Sequence, residues 1–188
     1  MKNIAIIASG KGSNADNICR YFTNHPVFQV RLIISDRKAA GVFDVAKKHE
    51  VEAVYINKER WQSPQALLIE LQKRNIDYII LAGFLKLIPP LIIHAFEKKI
   101  INIHPALLPK FGGQGMYGMH VHEAVHQAKE TETGISIHYV DEHYDEGDLI
   151  FQAKTKLYPD DSPQNIATLI HQLEMKHFPK VIEDLLLK

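Results

Sequence analysis

Two polar side chains at the end of a short apolar run have types and spacing suited to acyl-transfer chemistry. Asn102 and His104 stand two residues apart after Ile100-Ile101, and Pro105 stiffens the turn that follows. Because alternate side chains of a strand point to one side, an amide donor and an imidazole would face the same substrate carbonyl. Donors of this kind stabilise the negative charge that develops on a carbonyl oxygen under attack. This pair is therefore the first candidate catalytic site.

A second candidate is an acidic turn between two strand-like runs near the C-terminal end. It holds five carboxylates: Asp141, Glu142, Asp145, Glu146 and Asp148. The twelve-residue spacing of an EF-hand is absent, so a solvated loop is the ordinary interpretation. A carboxylate that reached His104 would raise the pKa of its imidazole. The pattern of the turn does not select which carboxylate that would be.

A glycine-containing turn after the first apolar run has the composition of an anion site. It reads Ser9-Gly10-Lys11-Gly12-Ser13-Asn14-Ala15, where glycines let the backbone approach an anion and the next helix offers amides and its positive dipole end. The same residues fit the dinucleotide pattern G-x-G-x-x-A, and Asp36 stands where a ribose-binding acid belongs. A nicotinamide enzyme is therefore an alternative to a simple phosphate site. A tight turn with Ser13 as a helix cap is the purely structural interpretation.

One helical segment contains a literal H-E-x-x-H pattern. His122 and His126 lie one turn apart and could bind zinc, with Glu123 as a base. The longer metzincin pattern fails because Lys129 stands where its glycine belongs. We expect these residues to be ordinary solvated helix positions and the protein to use no metal.

The pattern of the first half predicts a parallel sheet covered by helices. Strands are expected at Asn3–Ala8, Gln29–Ser35, Ala53–Ile56, Asp77–Ala82 and Ile100–Ile103. Helices are expected at about 14–24, 40–49, 63–74 and 89–98. Apolar strands that are each followed by a helix indicate an α/β, Rossmann-like fold with helices on both faces of the sheet.

After residue 103 the pattern changes. A glycine-rich loop that we expect to be mobile, Phe111–Met119, precedes a helix at about 120–129. Two strands, Gly134–Val140 and Leu149–Leu157, are predicted to pair antiparallel because their connection is too short for a crossover helix. Ser162-Pro163 caps a terminal helix that Pro179 kinks or breaks before Val181–Leu187. We predict one domain over residues 1–188.

Composition excludes several classes of function. The 22 basic and 22 acidic residues of the 188-residue chain balance, so no charge excess indicates nucleic acid or an anionic membrane. Cys19 is the single cysteine, which rules out an internal disulfide and fits a reducing compartment. The first strand begins at once, with no signal peptide, and no apolar run reaches the ~20 residues of a membrane helix. These features predict a cytoplasmic protein.

Taken together, the ordered motifs resemble the glycinamide ribonucleotide transformylases (phosphoribosylglycinamide formyltransferases) of purine biosynthesis. The resemblance runs along nearly the whole chain. It includes Ser9-Gly10-Lys11-Gly12-Ser13-Asn14, Leu81-Ala82-Gly83-Phe84-Leu85-Lys86-Leu87-Ile88, Asn102-Ile103-His104-Pro105-Ala106-Leu107-Leu108-Pro109, Thr133-Gly134-Ile135-Ser136-Ile137-His138, Asp145-Glu146-Gly147 and Gln152. Five ordered motifs are far more specific than any single pattern above.

The resemblance implies transfer of a formyl group from 10-formyltetrahydrofolate to the amine of glycinamide ribonucleotide. Catalysis would fall to Asn102, a protonated His104, and Asp145, which would keep His104 charged and help move the proton to the folate nitrogen. No covalent intermediate is needed, and Cys19 belongs to the first helix.

The family's binding residues map onto this chain in the same way. The phosphate would be held by Gly12, Ser13 and Asn14, the other end of the ribonucleotide by Glu174, and the folate by Leu85, Lys86, Leu87, Ile88, Asn102, Val140 and Asp141. Lys110 would add charge near the phosphate. Residues of about 1–100 would form the nucleotide-binding half, and those of about 101–188 the catalytic and folate-binding half. A monomer or homodimer would need only the two small molecules, without metal, nucleic acid or membrane.

Some features depart from the resemblance, and alternatives stay open. The 111–119 loop is long and glycine-rich, and Pro64 stands where some relatives place a folate-contacting arginine, with Arg60 nearby. A formyltetrahydrofolate hydrolase of the same family is the nearest alternative, since it shares the Asn-His-Asp set. An NAD-dependent dehydrogenase using Asp36, or a non-catalytic nucleotide-binding module, would each explain only one motif.

Overall fold

The computed structural model describes residues 1–187 and divides into two units, Met1–Asn102 and the residues from Ile103 onward. The first unit alternates strands and helices. Its elements are β1 (Lys2–Ile7), α1 (Ser13–Tyr21), β2 (Phe28–Ser35), α2 (Val42–Lys48), β3 (Glu52–Tyr55), α3 (Lys58–Trp61), α4 (Pro64–Lys73), β4 (Ile76–Leu81), α5 (Pro90–Ala95) and β5 (Ile100–His104), whose last two residues lie in the second unit.

The strands of the first unit pair in parallel, in the order β3-β2-β1-β4-β5. The central strands are apolar throughout, with Ile4–Ile7 and Leu32–Ile34 fully buried, as expected for strands covered on both faces. The α/β class is confirmed, and each strand predicted here is confirmed to within one residue. The four predicted helices are confirmed as well.

One helix of the first unit escaped the sequence analysis. α3 is only four residues long, which is too short for a periodic apolar pattern. It begins at Asn57, whose side-chain oxygen accepts a hydrogen bond from the Arg60 amide at 2.9 Å. An asparagine cap was therefore the one signal that could have revealed it.

The second unit contains an antiparallel strand pair and two helices. Its elements are α6 (Met119–Gln127), β6 (Glu132–Tyr139), β7 (Leu149–Lys156) and α7 (Pro163–Leu186). The antiparallel pairing, the helix near 120–129 and the Ser162 cap are confirmed; the Ser162 hydroxyl accepts from the Asn165 amide at 3.2 Å. α7 packs against α6 and β6.

The prediction that Pro179 could break the terminal helix is wrong, because α7 continues through it to Leu186. A proline inside a helix costs about 3 kcal/mol. Pro179 is buried together with Phe178 and Ile182, and burial of two such apolar side chains contributes a comparable free energy. Packing therefore outweighs the lost backbone hydrogen bond.

Among residues 1–187, no helix combines the length and the apolar character that crossing a bilayer requires.

The turn between β6 and β7 is closed by a tight backbone contact. The Tyr139 amide donates to the Asp148 carbonyl at 2.9 Å, and a Cβ atom added to Gly147 would lie 1.9 Å from the Tyr139 carbonyl oxygen. Only glycine fits there without separating the strands. Asp145, two residues earlier, has a positive φ of 59°. The turn thus fixes the direction in which this carboxylate points.

We predict that Gly147→Ala lowers the free energy of unfolding by at least about 2 kcal/mol, because a backbone clash forces the strand ends apart. Urea unfolding measures the change. Gly10→Ala is the matched control, since an added Cβ meets nothing within 4 Å there. Equal stability of the two variants would contradict this description of the turn.

Candidate active site

His104 ends β5 and is almost fully buried, with 3% of its surface exposed. Its Nε2 atom lies 2.7 Å from the carbonyl oxygen of Phe111, and its Nδ1 atom lies 3.3 Å from Oδ2 of Asp145. A carbonyl oxygen only accepts, so Nε2 carries the hydrogen of this bond. The imidazole therefore turns its second nitrogen, Nδ1, toward a carboxylate.

Asp145 is held from several sides. The Gly113 amide donates to Oδ2 at 3.0 Å, and Nε2 of His138 lies 3.6 Å from Oδ1. His138 itself donates from Nδ1 to the Tyr139 carbonyl at 2.7 Å. The acidic turn thus sends Asp145 inward to His104, which answers the question that the sequence left open.

The pKa values of this pair reflect competition between burial and charge. Burial lowers the pKa of His104 below its usual 6.5, and the Asp145 carboxylate and the Phe111 carbonyl offset only part of this effect. The expectation that a carboxylate would raise the pKa of His104 is therefore correct for the contribution of Asp145 and wrong for the net shift. For Asp145, burial raises the pKa, but His138, His104 and the Gly113 amide outweigh burial and bring it below 3.8. A neutral imidazole beside a carboxylate is the expected state near pH 7.

Next to this pair lies a cavity of about 490 Å³ within the second unit. Asp145 lines it, together with Leu108, Pro109, Gly112, Gly113, Tyr144, Glu146, Gly147 and Leu149. A substrate in this cavity would have direct access to the carboxylate. The predicted folate residues Val140 and Asp141 begin the same turn, and the Asp141 carboxylate accepts from the His143 amide at 2.9 Å.

Asn102 and Glu174 belong to two different elements, β5 and α7. Asn102 is half-buried in β5, two residues before His104 and so on the same side of the strand. Glu174 lies in α7, where Nδ1 of His171 is 3.7 Å from its carboxylate. Lys110 pairs with Glu130 at 2.8 Å.

The H-E-x-x-H residues have separate environments. The expectation that they are solvated is wrong for His122, which is 6% exposed and has no hydrogen-bond partner for Nδ1 among the described residues. Burial lowers its pKa, and repulsion from His104 lowers it further. Glu123 is exposed and lies 3.7 Å from Nδ1 of His120, whereas Nδ1 of His126 donates to the Asp161 carbonyl. Within residues 1–187, no group of three or more His, Cys, Asp or Glu side chains could hold a metal ion.

In the first unit, the glycine-containing turn after β1 has a left-handed backbone at Gly12 and packs closely against α2. Gly12 has a φ of 86°, and an added Cβ would lie 2.9 Å from Cα of Val42. The Val42 amide donates to the Gly10 carbonyl at 3.2 Å and draws the turn against α2. Helix α1 begins at Ser13, so its first amides and positive dipole end meet this turn. Gly12, and not Ser13, is the cap residue.

Asp16 lies in the first turn of α1, close to the glycine-containing turn, and its negative charge is balanced by basic side chains. Its carboxylate contacts the guanidinium of Arg20 at 2.5 Å, the ammonium of Lys48 at 2.7 Å and the imidazole of His49 at 2.7 Å. Although burial raises the pKa of Asp16, these hydrogen bonds bring it far below its usual value. Three nitrogen atoms of basic side chains thus surround this carboxylate.

Asp36, the candidate ribose-binding acid, is engaged within the first unit. The Ser9 hydroxyl donates to its Oδ1 at 2.8 Å, and the Lys86 ammonium lies 2.9 Å from Oδ2. Lys86 belongs to the predicted folate segment Leu85–Ile88, which follows β4, and its ammonium lies 5.9 Å from the centre of the Trp61 ring. Both oxygens that a ribose would need are therefore already bonded.

The chain offers no activated thiol. Cys19 lies in α1 and is buried, and burial raises the pKa of its thiol to about 12. A thiolate would be needed for nucleophilic attack.

Sequence analysis missed three groups that contact the pair: the Phe111 carbonyl at His104, and the Gly113 amide and the His138 imidazole at Asp145. The first two are backbone groups, which sequence patterns do not display. Adjacent glycines at 112 and 113 were the available signal, because they let the backbone come close to buried side chains. His138 was visible only as part of a family motif.

Acidification is predicted to destabilise the protein through its buried histidines. Unfolded histidines take up protons near pH 6.5, whereas His104 and His122 in the folded state do so only at lower pH. The unfolded state therefore binds more protons below pH 6.5, and the free energy of unfolding falls as the pH falls through that window. His122→Gln should make urea-unfolding stability less dependent on pH, by up to about 1.4 kcal/mol per pH unit. His143→Gln, a 70% exposed position, is the control, and an equal slope in both variants would contradict the prediction.

Comparison with known proteins identifies the chain as one of an established family. Residues 2–182 match the model of the formyl transferase family. The phosphoribosylglycinamide formyltransferase of Bacillus subtilis is 35% identical, over 99% of this chain and 95% of that protein. The chloroplastic enzyme of that name from Arabidopsis thaliana is also 35% identical over 96% of this chain. The chain spans only 64% of the Arabidopsis protein and 61% of a cowpea (Vigna unguiculata) relative.

Solved structures agree with these sequence relatives. Glycinamide ribonucleotide transformylase 1 from Geobacillus kaustophilus superposes with a TM-score of 0.90 at 34% identity, over 98% of both chains. Phosphoribosylglycinamide formyltransferase from Bacillus halodurans gives 0.89 at 33% identity, over 98% of this chain and 95% of that one. Since the family model covers nearly the whole chain and relatives match it from end to end, this chain belongs to the formyl transferase family.

Proposed function

We propose that the protein transfers the formyl group of 10-formyltetrahydrofolate to the amine of glycinamide ribonucleotide in purine biosynthesis. The family uses this folate as co-substrate, and the relatives that the chain matches over nearly their whole length are named for this reaction. The observation that carries the proposal is the buried His104–Asp145 pair beside a cavity, with Nδ1 of His104 3.3 Å from Oδ2 of Asp145. This is a site for stabilising charge and moving one proton.

In this mechanism the substrate amine attacks the formyl carbon and negative charge develops on the formyl oxygen. The Nε2–H group of His104 and the side-chain amide of Asn102 donate to that oxygen. Each donor of this type contributes about 2.7–4 kcal/mol to an acyl transfer. Because the Nε2–H group bonds to Phe111 at 2.7 Å, the formyl oxygen replaces the Phe111 carbonyl as its acceptor.

Asp145, which lines the cavity, assists transfer of the proton that the amine loses. Nδ1 of His104 faces this carboxylate at 3.3 Å, so a proton that reaches the carboxylate is shared with the imidazole. The neighbouring carboxylate stabilises the imidazolium that forms. As the carbon–nitrogen bond to folate breaks, the same proton passes to the departing folate nitrogen. No covalent bond to the protein forms.

Binding of the two substrates is assigned to separate segments. The turn at Gly12, Ser13 and Asn14 would hold the phosphate, and Glu174 would contact the other end of the ribonucleotide. Residues Leu85–Ile88, with Asn102, Val140 and Asp141, would bind the folate. On this assignment residues of about 1–100 form the nucleotide-binding half of one formyltransferase domain, and those of about 101–188 form the catalytic and folate-binding half.

The proposed compartment is the cytoplasm, and the proposed state is a monomer or homodimer without nucleic-acid or membrane partners. Balanced charge and a single cysteine support this. The plant relatives are named chloroplastic, so the compartment differs among members of the family.

We expect His104→Ala to lower kcat by about 10²–10³-fold, because it removes the donor to the developing oxyanion. The measurement is mass spectrometry of formylated product from glycinamide ribonucleotide and 10-formyltetrahydrofolate. His126→Ala is the matched control, with kcat expected within about twofold of wild type, since it is an exposed histidine outside the proposed mechanism.

Three outcomes would contradict the assignment. Formylated product at the wild-type rate from His104→Ala would remove His104 from the mechanism. Formate release without transfer would indicate the folate hydrolase. No reaction by the folded wild-type protein would reject the formyl transfer altogether.

Ser13→Ala is predicted to raise KM for the ribonucleotide by roughly tenfold or more, because a hydrogen bond to a charged phosphate is lost. The KM for the folate should stay within about twofold. Steady-state kinetics with each substrate varied in turn makes the comparison. Ser162→Ala, which removes another serine hydroxyl at a helix start, is the control. Equal effects on both KM values would argue against a phosphate contact.

A further inference from the structure

Two polar side chains that belong to the family motifs have no role in the mechanism above. Ser136 lies in β6 and is fully buried, and Gln152 lies directly opposite it in β7. The amide Nε2 of Gln152 donates to the Ser136 hydroxyl at 2.8 Å. A polar pair inside a strand pair needs a reason, because burial of polar groups is unfavourable unless every group is bonded.

The partners of this pair lie in the segment that follows His104. The Ser136 hydroxyl donates to the Ala106 carbonyl at 2.7 Å and accepts from the Leu108 amide at 2.9 Å. Gln152 Nε2 also donates to the Leu108 carbonyl at 3.1 Å. A hydroxyl has one donor and two acceptor positions, so Ser136 uses its whole capacity. Two side chains thus bind three backbone groups of the segment 106–108.

This segment lies along the chain between His104 and the two backbone groups that bond to His104 and Asp145. His104 comes two residues before Ala106, and the Phe111 carbonyl and the Gly113 amide, which bond to His104 and Asp145, come shortly after Leu108. The Leu108 side chain also abuts Gly112, where an added Cβ would lie 2.6 Å from its Cδ2 and 3.3 Å from Cβ of Asp145. A shift of Leu108 would therefore be transmitted to both members of the pair.

We propose that Ser136 and Gln152 are positioning residues for formyl transfer, which fix the segment 106–108 and through it the geometry between His104 and Asp145. The proposal rests on the function proposed above. Neither side chain touches the imidazole or the carboxylate in the contacts described, so both act through the backbone. Small displacements matter in such a site, since a misplacement of about 1 Å can cost 10²-fold in rate.

The competing explanation is that the pair only stabilises β6 and β7. Stability alone predicts a lower melting temperature with kcat and its pH dependence unchanged in the protein that remains folded. Positioning predicts a loss in kcat with KM for both substrates within about twofold. It also predicts a shifted pH dependence of kcat, because the coupling between His104 and Asp145 changes.

The test compares Ser136→Ala, Gln152→Met and the double variant in the full-length protein. We expect each single variant to lower kcat by about 10-fold or more, and the double variant to lower it little further, because the two act as one unit. NMR titration of the His104 imidazole should show a lower pKa in the single variants, since the contact with Asp145 weakens. Ser35→Ala is the matched control, because it removes a fully buried serine hydroxyl that accepts from the Arg37 amide in the first unit.

The proposal is overturned if both single variants behave as Ser35→Ala does, with kcat within twofold, an unchanged pH profile and an unchanged titration of His104. If Ser136→Ala does not fold, Gln152→Met decides by the same criteria. If the wild-type protein forms no formylated product, the function fails separately. The His104 titration then still shows whether Ser136 and Gln152 position the pair.

Discussion

The contact between His104 and Asp145 is the constraint on which the second unit depends. An imidazole and a carboxylate that are both nearly removed from water are costly unless their remaining polar atoms are bonded. The backbone supplies those partners, through the Phe111 carbonyl on one side and the Gly113 amide on the other. A single short segment therefore satisfies both members of the pair, and its conformation determines their chemistry.

The hairpin of β6 and β7 brings the carboxylate to this place. Asp145 adopts a positive φ of 59°, a conformation that aspartate tolerates better than most residues but that still costs free energy. Gly147 allows the turn to close against the Tyr139 carbonyl, and the paired strands outside the turn hold it in register. The antiparallel pairing of β6 and β7 on either side of the turn thus offsets the free energy that its strained backbone costs. In the first unit the parallel sheet has a comparable role. The glycine-containing turn after β1 and the segment from Gly83 follow neighbouring strands, and the Ser9 amide donates a hydrogen bond to the Gly83 carbonyl.

Much of this arrangement could be predicted from the sequence, and the remainder could not for identifiable reasons. Apolar strands separated by helical patterns predict the parallel sheet to within a residue, since burial on both faces leaves an unmistakable pattern. Gly12 and its neighbours predict a tight turn between β1 and α1, because glycine readily adopts the positive φ that this turn has. The family motifs brought Asn102, His104 and Asp145 together as candidates. By contrast, the partners of His104 and Asp145 are largely backbone atoms, and the environment of His122 depends on tertiary packing, so neither appears in any local pattern. Pro179 shows the same limitation, because buried neighbours overrule its intrinsic preference.

In the proposed mechanism, the lowered pKa of His104 suits the pair to moving a proton. A permanently charged imidazole beside the carboxylate would form a stable ion pair with no capacity to accept a proton from an attacking amine. Burial opposes that charge, while Asp145 favours it, and the balance leaves the imidazole neutral near pH 7 with a carboxylate already in place. In the proposed mechanism, positive charge on the imidazole becomes favourable as negative charge develops on the substrate oxygen. Burial would then tie protonation of the site to the reaction step that needs it.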